Sequence, residues 1–263
     1  MTDRVVPHLE DGLLTITLNA TEQRNALSMD VAVPLLAVLR GAATNPQVRA
    51  VLLEGAGSHF CVGGNVAKFG DPAVAPPPIA QRQPELREIM ESSRLIYEMP
   101  KPVVVAIQGA AAGAGLSLAL ACDLRIAGEN AKLTTAFAKV GVSGDFGGTY
   151  FLTQLLGSAR ARELYLLSPV LTGSEAAAIG LVTRAVPDTD VKMAARDLAR
   201  SLAQGPTVTY GYIKANIRNA ETASLAACLD AEALHHCCCL HTADQREASA
   251  AFLQKRAPIF SGR

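Results

Sequence analysis

Short apolar stretches alternate with polar turns through the first half of the chain, and each stretch has the length of a strand. Two of them face each other across an Asp11–Gly12 turn, which is typical of a β-hairpin. Later stretches are each separated by a helical pattern or by glycines. Strands that alternate with helices predict a mostly parallel α/β sheet covered by helices. The predicted strands are RVVPHLE (4–10), LLTITLN (13–19), VRAVLLEG (48–55), KPVVVAIQG (101–109) and DLRIAG (123–128).

Proline marks two further features of this pattern. Ser28 is the predicted N-cap of a helix over 29–44, and Pro34 should bend that helix or mark its start. Prolines are also concentrated between residues 70 and 84, which predicts a surface loop there rather than a helix or strand.

After about residue 188 the strand pattern gives way to successive helical patterns. We therefore divide the chain into an α/β body over 1–188 and a C-terminal helical region over 189–263. The apolar faces of these helices must be buried on the body or on a neighbouring subunit. The sequence favours the second role, as an oligomerisation region.

The composition and charge of the chain indicate which binding partners and which cellular compartment to expect. The chain has 263 residues with 24 basic and 24 acidic side chains, so its formal charge offers no general attraction to nucleic acid or to anionic membranes. The first residues show no basic segment followed by a long apolar run, and no apolar run is long enough for a membrane span. We expect a cytoplasmic protein with reduced cysteines.

The stretch HHCCCLH (235–241) resembles a metal site at first sight. However, adjacent cysteines on a helix point in different directions, and the chain contains no C-x-x-C pair. We therefore expect these residues to be small core or interface side chains, and we expect no metal site.

Two stretches share the order strand, glycine-rich turn, helix: VLLEGAGSHFCVGGNVAKF (51–69) and VVVAIQGAAAGAGLSLAL (103–120). Neither matches a phosphate-binding loop or the G-x-G-x-x-G fingerprint. Small residues at a helix start leave backbone N–H groups open, and two such turns could direct one N–H each at one oxygen, forming an oxyanion hole. The pattern alone equally allows a second interpretation, in which the glycines serve close packing of helix on sheet.

Several motifs occur in the order and at the spacing of one family, and together they span residues 4 to 260. On these motifs the chain resembles the crotonase family, which contains the enoyl-CoA hydratases and isomerases. The resemblance implies a crotonase-like ββα spiral with a C-terminal helical trimerisation region, acyl-CoA thioester substrates, and a homotrimer or dimer of trimers. The motifs are EQRNALS, FCVGGN, KPVVVAIQGAAAGAGLSLALACDLRIA, VGVSGDFGGTYFLTQLLG, ARELYLLSPVLTGSEAAAIGLVTRAVP and AFLQKRAPIF.

The same resemblance assigns roles to positions of this chain. The oxyanion-hole amides fall on Gly64 and Ala114, so that the thioester carbonyl oxygen would approach the glycine-rich turns. No cofactor is implied, because coenzyme A is part of the substrate. The implied coenzyme A contacts are Arg24, Asn25, Ala26, the backbone from Val62 through Asn65 to Val66, and Phe252 and Lys255, with the last two open to assignment to a neighbouring subunit.

The chain departs from the hydratase pattern at both catalytic glutamates. The matching positions hold Ser117 and Phe137. Hydration needs one proton taken from water and one delivered to carbon, so we expect poor hydration without these carboxylates. Ser117 could orient a water or the substrate, or it could be a packing residue bonded to the carbonyl four residues earlier.

One carboxyl group remains in a suitable pattern, at Asp145 within VGVSGDFGGTYFL. By itself it could be the N-cap of the following helix. Within the family, an Asp in this setting resembles the isomerase branch, which includes the phenylacetyl-CoA-type and Δ3-Δ2 enoyl-CoA isomerases. We therefore predict that Asp145 is the catalytic acid and base, with a pKa raised by apolar neighbours.

Three hypotheses follow from these residues. In the first, the protein is an enoyl-CoA isomerase in which Asp145 moves a proton between two carbons. In the second, it is a hydratase or another lyase on an unusual acyl-CoA, with Ser117 and Asp145 sharing a water. In the third, it binds coenzyme A esters without catalysis.

Overall fold

The main sheet has six strands in the spatial order β1-β2-β3-β4-β6-β9 and forms the centre of the body. A computed structural model describes residues 3–64 and 77–263. The first two strands form the predicted antiparallel hairpin, and the other neighbouring strands run parallel. The strands are β1 Val5–Glu10, β2 Leu13–Leu18, β3 Ala50–Gly55, β4 Val103–Ile107, β6 Leu124–Gly128 and β9 Arg184–Val186.

The two central strands are buried along their whole length. Every residue of β3 and β4 is buried, and Val51 pairs with Val103 in the parallel ladder between them. Continuous apolar runs of this kind are expected where helices cover both faces of a parallel sheet. The mixed α/β class predicted from the sequence is thereby confirmed.

A second, three-stranded sheet in the order β5-β7-β8 carries the second glycine-rich turn. The helix α3, Ala114–Leu120, starts two residues after β5 ends, and all seven of its residues are buried. The sequence Gly113-Ala114-Gly115 therefore lies at the junction of strand and helix, as the pattern predicted. The three strands are β5 Ala110–Ala112, β7 Lys132–Thr134 and β8 Leu171–Thr172.

Two helices pack together beside the main sheet, and both differ from the sequence prediction in detail. Helix α1, Met29–Thr44, begins after Ser28 as predicted, but the Ser28 side chain makes no capping bond, and Pro34 lies inside the helix rather than at its start. Helix α2, Ile79–Glu98, begins within the stretch predicted as a loop, with Pro84 in its second turn. Pro84 is the sixth residue of α2, so the helix continues without the bond that an N–H at this position would donate to the carbonyl of residue 80.

Helix α4, Gly148–Leu167, contains a break at Gly157, whose φ of 74° and ψ of 161° are not helical. A straight helix would separate residues 148 and 165 by about 25 Å. Instead, a Cβ atom placed on Gly148 would lie 2.5 Å from the Tyr165 hydroxyl. The second half of α4 therefore returns to the start of the first half, and this fold places Tyr165 beside residues of the candidate site.

The division of the chain at residue 188 stays a prediction. Helix α6, Val191–Ala203, belongs to the predicted C-terminal region, but its small residues pack on the main sheet beside Leu52 and Val104. Few side chains after this helix are buried. The remaining helices are α5 Gly173–Ala178, α7 Thr207–Ala220, α8 Leu225–Leu240 and α9 Ala243–Leu253.

The HHCCCLH stretch lies at the end of α8. Cys237 is exposed, and Cys238 and Cys239 are half-buried. His235 stacks on Tyr212 of α7 with ring centroids 4.7 Å apart. Over residues 3–64 and 77–263, no group of three His, Cys, Asp or Glu side chains is placed to hold a metal ion. That HHCCCLH binds no metal stays a prediction.

No helix in this described part of the chain is long and apolar enough to cross a bilayer.

Candidate active site

The two glycine-rich turns lie side by side because a short parallel bridge joins the segments that precede them. Cys61 pairs with Ala111. The Cys61 amide donates to the Ala110 carbonyl at 3.1 Å, and the Ala112 amide donates to the Cys61 carbonyl at 3.1 Å. These bonds hold the residues leading to Gly64 and Ala114 in register.

Glycine is required where the two turns meet. A Cβ atom on Gly63 would lie 2.6 Å from the Ala112 carbonyl oxygen and 3.1 Å from the Ala114 nitrogen. A Cβ atom on Gly115 would lie 2.3 Å from the Cys61 carbonyl oxygen. Such distances exclude any side chain without a shift of the backbone, so the glycines set how closely the turns approach.

The amides of Gly64 and Ala114 are open donors. Ala114 is the first residue of α3, so its N–H has no partner within the helix. Neither amide donates a hydrogen bond to any residue in the described part of the chain. Two open N–H groups beside one another are the arrangement that stabilises an oxyanion.

Two cavities, of about 490 Å³ and 310 Å³, share a wall that contains both amides and Asp145. The larger cavity is lined on its apolar side by Leu27, Leu86, Ile89 and Phe146. The smaller is lined by Val62, Phe137, Val140 and Val142. The carboxyl group common to both cavities belongs to Asp145, and the guanidinium common to both belongs to Arg82.

Asp145 does not cap the helix that follows it. The N-cap of α4 is Gly147, with a φ of 75° that suits glycine. The Asp145 Oδ1 atom is buried and has no hydrogen-bond partner among the described residues. Burial raises the pKa of the carboxyl group to about 6, while the Arg82 charge opposes the shift. A carboxyl group with this pKa is a stronger base than an ordinary aspartate.

The two positions that match the hydratase glutamates have no acid function here. Ser117 is 2% exposed, and its hydroxyl donates to the Gly113 carbonyl at 3.2 Å. This bond, to the carbonyl four residues earlier, is the one expected if Ser117 is a packing residue. Ser117 does not line either of the two cavities described above. Phe137 is buried and presents an apolar ring to the smaller cavity.

The segment carrying Arg24, Asn25 and Ala26 is bonded to the first glycine-rich turn. The Leu27 amide donates to the Gly63 carbonyl at 2.8 Å. The Asn25 side chain is fully buried, where it accepts from the Ala20 amide at 2.9 Å and donates to the His59 carbonyl at 2.8 Å. Its amide is therefore occupied within the chain and supports the turn. Ala26 is also buried, whereas Arg24 is exposed.

The remaining coenzyme A positions are separated from the cavities or lie outside the described residues. Asn65 and Val66 fall in the latter group. Phe252 and Lys255 lie at the end of α9 and are exposed, and neither lines the two cavities. Their assignment to a substrate contact, within the chain or from a neighbouring subunit, stays a prediction.

Sequence reasoning missed Arg82, Leu86 and Ile89, because the prolines nearby predicted a loop where α2 begins. It also missed Tyr165, which stacks on Phe137 with ring centroids 5.8 Å apart. An apolar spacing over residues 86–96 could have indicated the helix. The position of Tyr165 depends on the break at Gly157 and has no local signal in the sequence.

Comparison with known proteins agrees with this fold and site. A family model described as Enoyl-CoA hydratase/isomerase matches residues 8–263. The chain is 37% identical to 1,2-epoxyphenylacetyl-CoA isomerase of Escherichia coli K12 over all of both chains. It is 38% identical to a Rhodobacter capsulatus protein named "Probable enoyl-CoA hydratase", over 97% of this chain and 96% of that one.

A solved structure gives the same result. An enoyl-CoA hydratase from Polaromonas sp. JS666 superposes with a TM-score of 0.89 at 33% identity, over 97% of this chain and 99% of that chain. The α/β fold, with two open amides beside a carboxyl group, belongs to an enzyme. The chain is a member of the enoyl-CoA hydratase/isomerase family.

Proposed function

We propose that this enzyme is an enoyl-CoA isomerase, which shifts the C=C bond of an acyl-CoA thioester by moving one proton. The observation that carries the proposal is the shared wall of the two cavities, which combines the Gly64 and Ala114 amides with Asp145. The amides supply donors for a thioester oxygen, and Asp145 supplies one group that can both accept and return a proton.

The reaction needs no group beyond these and no cofactor. Asp145 takes a proton from the carbon next to the C=C bond, and the electron pair moves toward the thioester carbonyl. The two amides hold the resulting enolate oxygen, and each such donor contributes on the order of 3–4 kcal/mol in other enzymes. Protonated Asp145 then returns the proton two carbons away, which regenerates the carboxylate.

The environment of Asp145 suits this cycle. Burial raises its pKa to about 6, so the group is largely ionised at neutral pH and more basic than an exposed aspartate. Proton transfer is most efficient when the pKa of the catalytic group lies near the working pH. The isomerase name of the Escherichia coli relative supports the same assignment.

The name of the Rhodobacter capsulatus relative favours a second candidate, hydration of an enoyl-CoA. In that reaction Ser117 and Asp145 would share a water. The hydroxyl of Ser117 already donates to Gly113, and position 137 offers no acid, so hydration lacks its second proton-transfer group. The third candidate is binding of coenzyme A esters without catalysis. The open amides do not favour this candidate over isomerisation.

The test is the Asp145→Asn variant, with isomerisation of a 3-enoyl-CoA and hydration of the matching 2-enoyl-CoA measured in parallel. Wild-type enzyme should isomerise faster than it hydrates. The variant should lose about 100- to 10,000-fold in isomerisation, because asparagine keeps the size but accepts no proton. Binding of the coenzyme A ester, measured by calorimetry, should change little.

Ser117→Ala is the matched comparison, since it removes a buried polar group from the same neighbourhood. It should cost less than Asp145→Asn, because its hydroxyl only orients. Fast hydration that survives Asp145→Asn would reject the isomerase assignment. A protein that binds coenzyme A esters yet is inert toward several chain lengths would instead support the non-catalytic candidate.

We further propose that the protein assembles as a homotrimer or a dimer of trimers through its C-terminal helices. Helix α8 has no buried residue, and Leu229 and Leu234 on it are exposed. Sedimentation velocity at micromolar concentration should give a trimer or hexamer, and Leu229→Glu with Leu234→Glu should reduce the mass to that of a monomer. A wild-type monomer under these conditions would refute the assembly.

A further inference from the structure

Several buried polar atoms in and around the two cavities make no hydrogen bond in the described part of the chain. They include Oδ1 of Asp145 and Oε1 of Gln23, whose side chains line the larger cavity, and the hydroxyl oxygen of Tyr165. Buried polar groups are hydrogen-bonded in the great majority of proteins, and each exception needs an explanation. The enzyme chemistry described above uses the Asp145 carboxyl but gives Tyr165 no role.

The fold places the Tyr165 hydroxyl in the ring of residues around Asp145. A Cβ atom on Gly144 would lie 3.4 Å from this hydroxyl, and one on Gly148 would lie 2.5 Å from it and 2.2 Å from Ser117 Oγ. The glycines on both sides of Asp145 therefore leave room for two hydroxyl groups. Any side chain at position 148 would fill the space that these hydroxyls share.

The Tyr165 ring is packed against a residue of the smaller cavity. It stacks on Phe137 with an interplanar angle of 7°, and Phe137 forms part of the wall of that cavity. Burial raises the pKa of the Tyr165 hydroxyl, the neighbouring Thr149 and Ser117 hydroxyls oppose this shift, and the Asp145 charge adds to it. The group therefore stays protonated at working pH and serves as a donor.

We propose that Tyr165 is a positioning residue for Asp145. Its hydroxyl donates a hydrogen bond to one water, which in turn donates to the Oδ1 atom of the Asp145 carboxylate and leaves the second carboxylate oxygen for the substrate. The inference rests on the proposed function of Asp145 as the proton carrier. A bridging water gives both atoms a partner, because the hydroxyl is a donor and the carboxylate oxygen is an acceptor.

Several charged or titratable side chains surround Asp145. The Cys61 pKa is raised by burial to about 12, and an arginine keeps its charge throughout. Asp30, on the wall of the larger cavity, pairs with Arg4 at 3.3 Å. A pH profile between 5 and 8 therefore reports on Asp145. The charged and titratable side chains around Asp145 are Asp30, Cys61, Tyr165 and Arg82, and Arg82 pairs with Glu85 at 3.6 Å.

The test is Tyr165→Phe, which keeps the stacked ring and removes the hydroxyl. Loss of a hydrogen bond to the charged form should move the acid limb of the kcat/KM profile upward by about one pH unit. The kcat value should fall about tenfold with KM within about twofold, because orientation is lost while binding is kept. Tyr150→Phe is the matched control, since its hydroxyl is on the same helix but bonds Glu221 outside both cavities.

A second substitution tests the same bond without removing it. Replacement of Tyr165 by 3-fluorotyrosine makes the hydroxyl a stronger donor and should move the acid limb downward. A Tyr165→Phe enzyme with the wild-type kcat and acid limb would overturn the inference. If Tyr165→Phe does not fold, an unchanged acid limb in the fluorotyrosine enzyme would overturn it instead.

Failure of the inference and failure of the proposed function are distinguishable. If Asp145→Asn remains an active isomerase, the proposed function fails whatever Tyr165→Phe does. If Asp145→Asn is inactive while Tyr165→Phe and the fluorotyrosine enzyme match the wild type, Asp145 keeps its role and only the positioning role of Tyr165 is rejected.

Discussion

The body and the C-terminal helices both contain apolar stretches, but these stretches are buried in the body and exposed in the C-terminal helices. Every residue of β3 and β4 is buried, whereas α8 has no buried residue and Leu225 on it is 75% exposed. The difference lies in the neighbours, since the strands have helices on both faces, whereas α8 contacts α7 and α9 and leaves its leucines exposed. An apolar stretch in the sequence indicates a surface that favours burial. Only the fold shows whether the same chain buries it.

The C-terminal helices are nevertheless tied to the body. The Lys214 ammonium on α7 donates to Asp123 Oδ2 at 2.7 Å and to the Lys101 carbonyl at 2.9 Å. Arg49 of the body donates to the Gly205 carbonyl at 2.7 Å and to the Phe260 carbonyl at 3.1 Å. These helices thus have one side attached to the body and a second side that presents leucines outward.

The sharpest test of this comparison is a pair of leucine truncations. Leu35→Ala should cost about 2–5 kcal/mol of unfolding free energy at any protein concentration, because Leu35 is fully buried in the body. Leu229→Ala should cost less than about 0.5 kcal/mol in the monomer and more as concentration rises, because in the proposed assembly its partner is another copy.

Chemical unfolding of both variants and of the wild type, at two protein concentrations, measures these effects. An equal and concentration-independent loss for Leu229→Ala would show that α8 is packed within its own chain. The contrast between the two regions would then be false.

A smaller effect is expected inside the body, at the break of α4. Gly157→Ala should cost about 1–3 kcal/mol, because a φ of 74° with a ψ of 161° is almost confined to glycine. No atom lies within 4 Å of a Cβ at this position, so the cost is conformational. Thermal unfolding should show the loss.

Gly41→Ala is the control for that experiment. A Cβ at Gly41 also meets no atom within 4 Å, but this residue lies inside α1. It should stabilise the protein by about 0.5–1 kcal/mol, since alanine is the better helix former. Similar effects at both glycines would mean that α4 has no break.

A further effect inside the body concerns the ionisation of Asp145. The pKa of Asp145 is raised from 3.8 to about 6, so the folded state favours the protonated form. Its stabilising contribution is complete below the unfolded pKa and is lost as pH rises through about 6. Asp145→Asn should therefore stabilise the protein by about 1–2 kcal/mol at pH 8 and leave it unchanged at pH 4.

Unfolding of the wild type and Asp145→Asn at both pH values tests the sign. Destabilisation at pH 8 would indicate that the ionised carboxyl group is held by bonds that stabilise it. In that case Asp145 would be a structural residue rather than a base.

Local patterns predicted the body well because its strands are defined by continuous apolar runs and its turns by glycine. The pattern of small residues allowed either an oxyanion hole or close packing at these turns, and the assignment of the donors to Gly64 and Ala114 came from the family resemblance. The start of α2 was not predictable, because prolines in a first or second turn resemble a loop. Tyr165 was not either, since its place beside Gly144 and Gly148 depends on a distant break in α4.

The bridge between Cys61 and Ala111 has a consequence for how this fold can change its substrates. Gly64 and Ala114, the proposed oxyanion donors, follow segments that hydrogen bonds hold together, whereas Leu86 and Ile89 on α2 contribute part of the apolar wall of the larger cavity. Substitutions on α2 can therefore reshape the space for the acyl group while the spacing of the two donors stays constant. The part of the chain that would carry the chemistry can therefore stay the same while the part that selects the substrate changes.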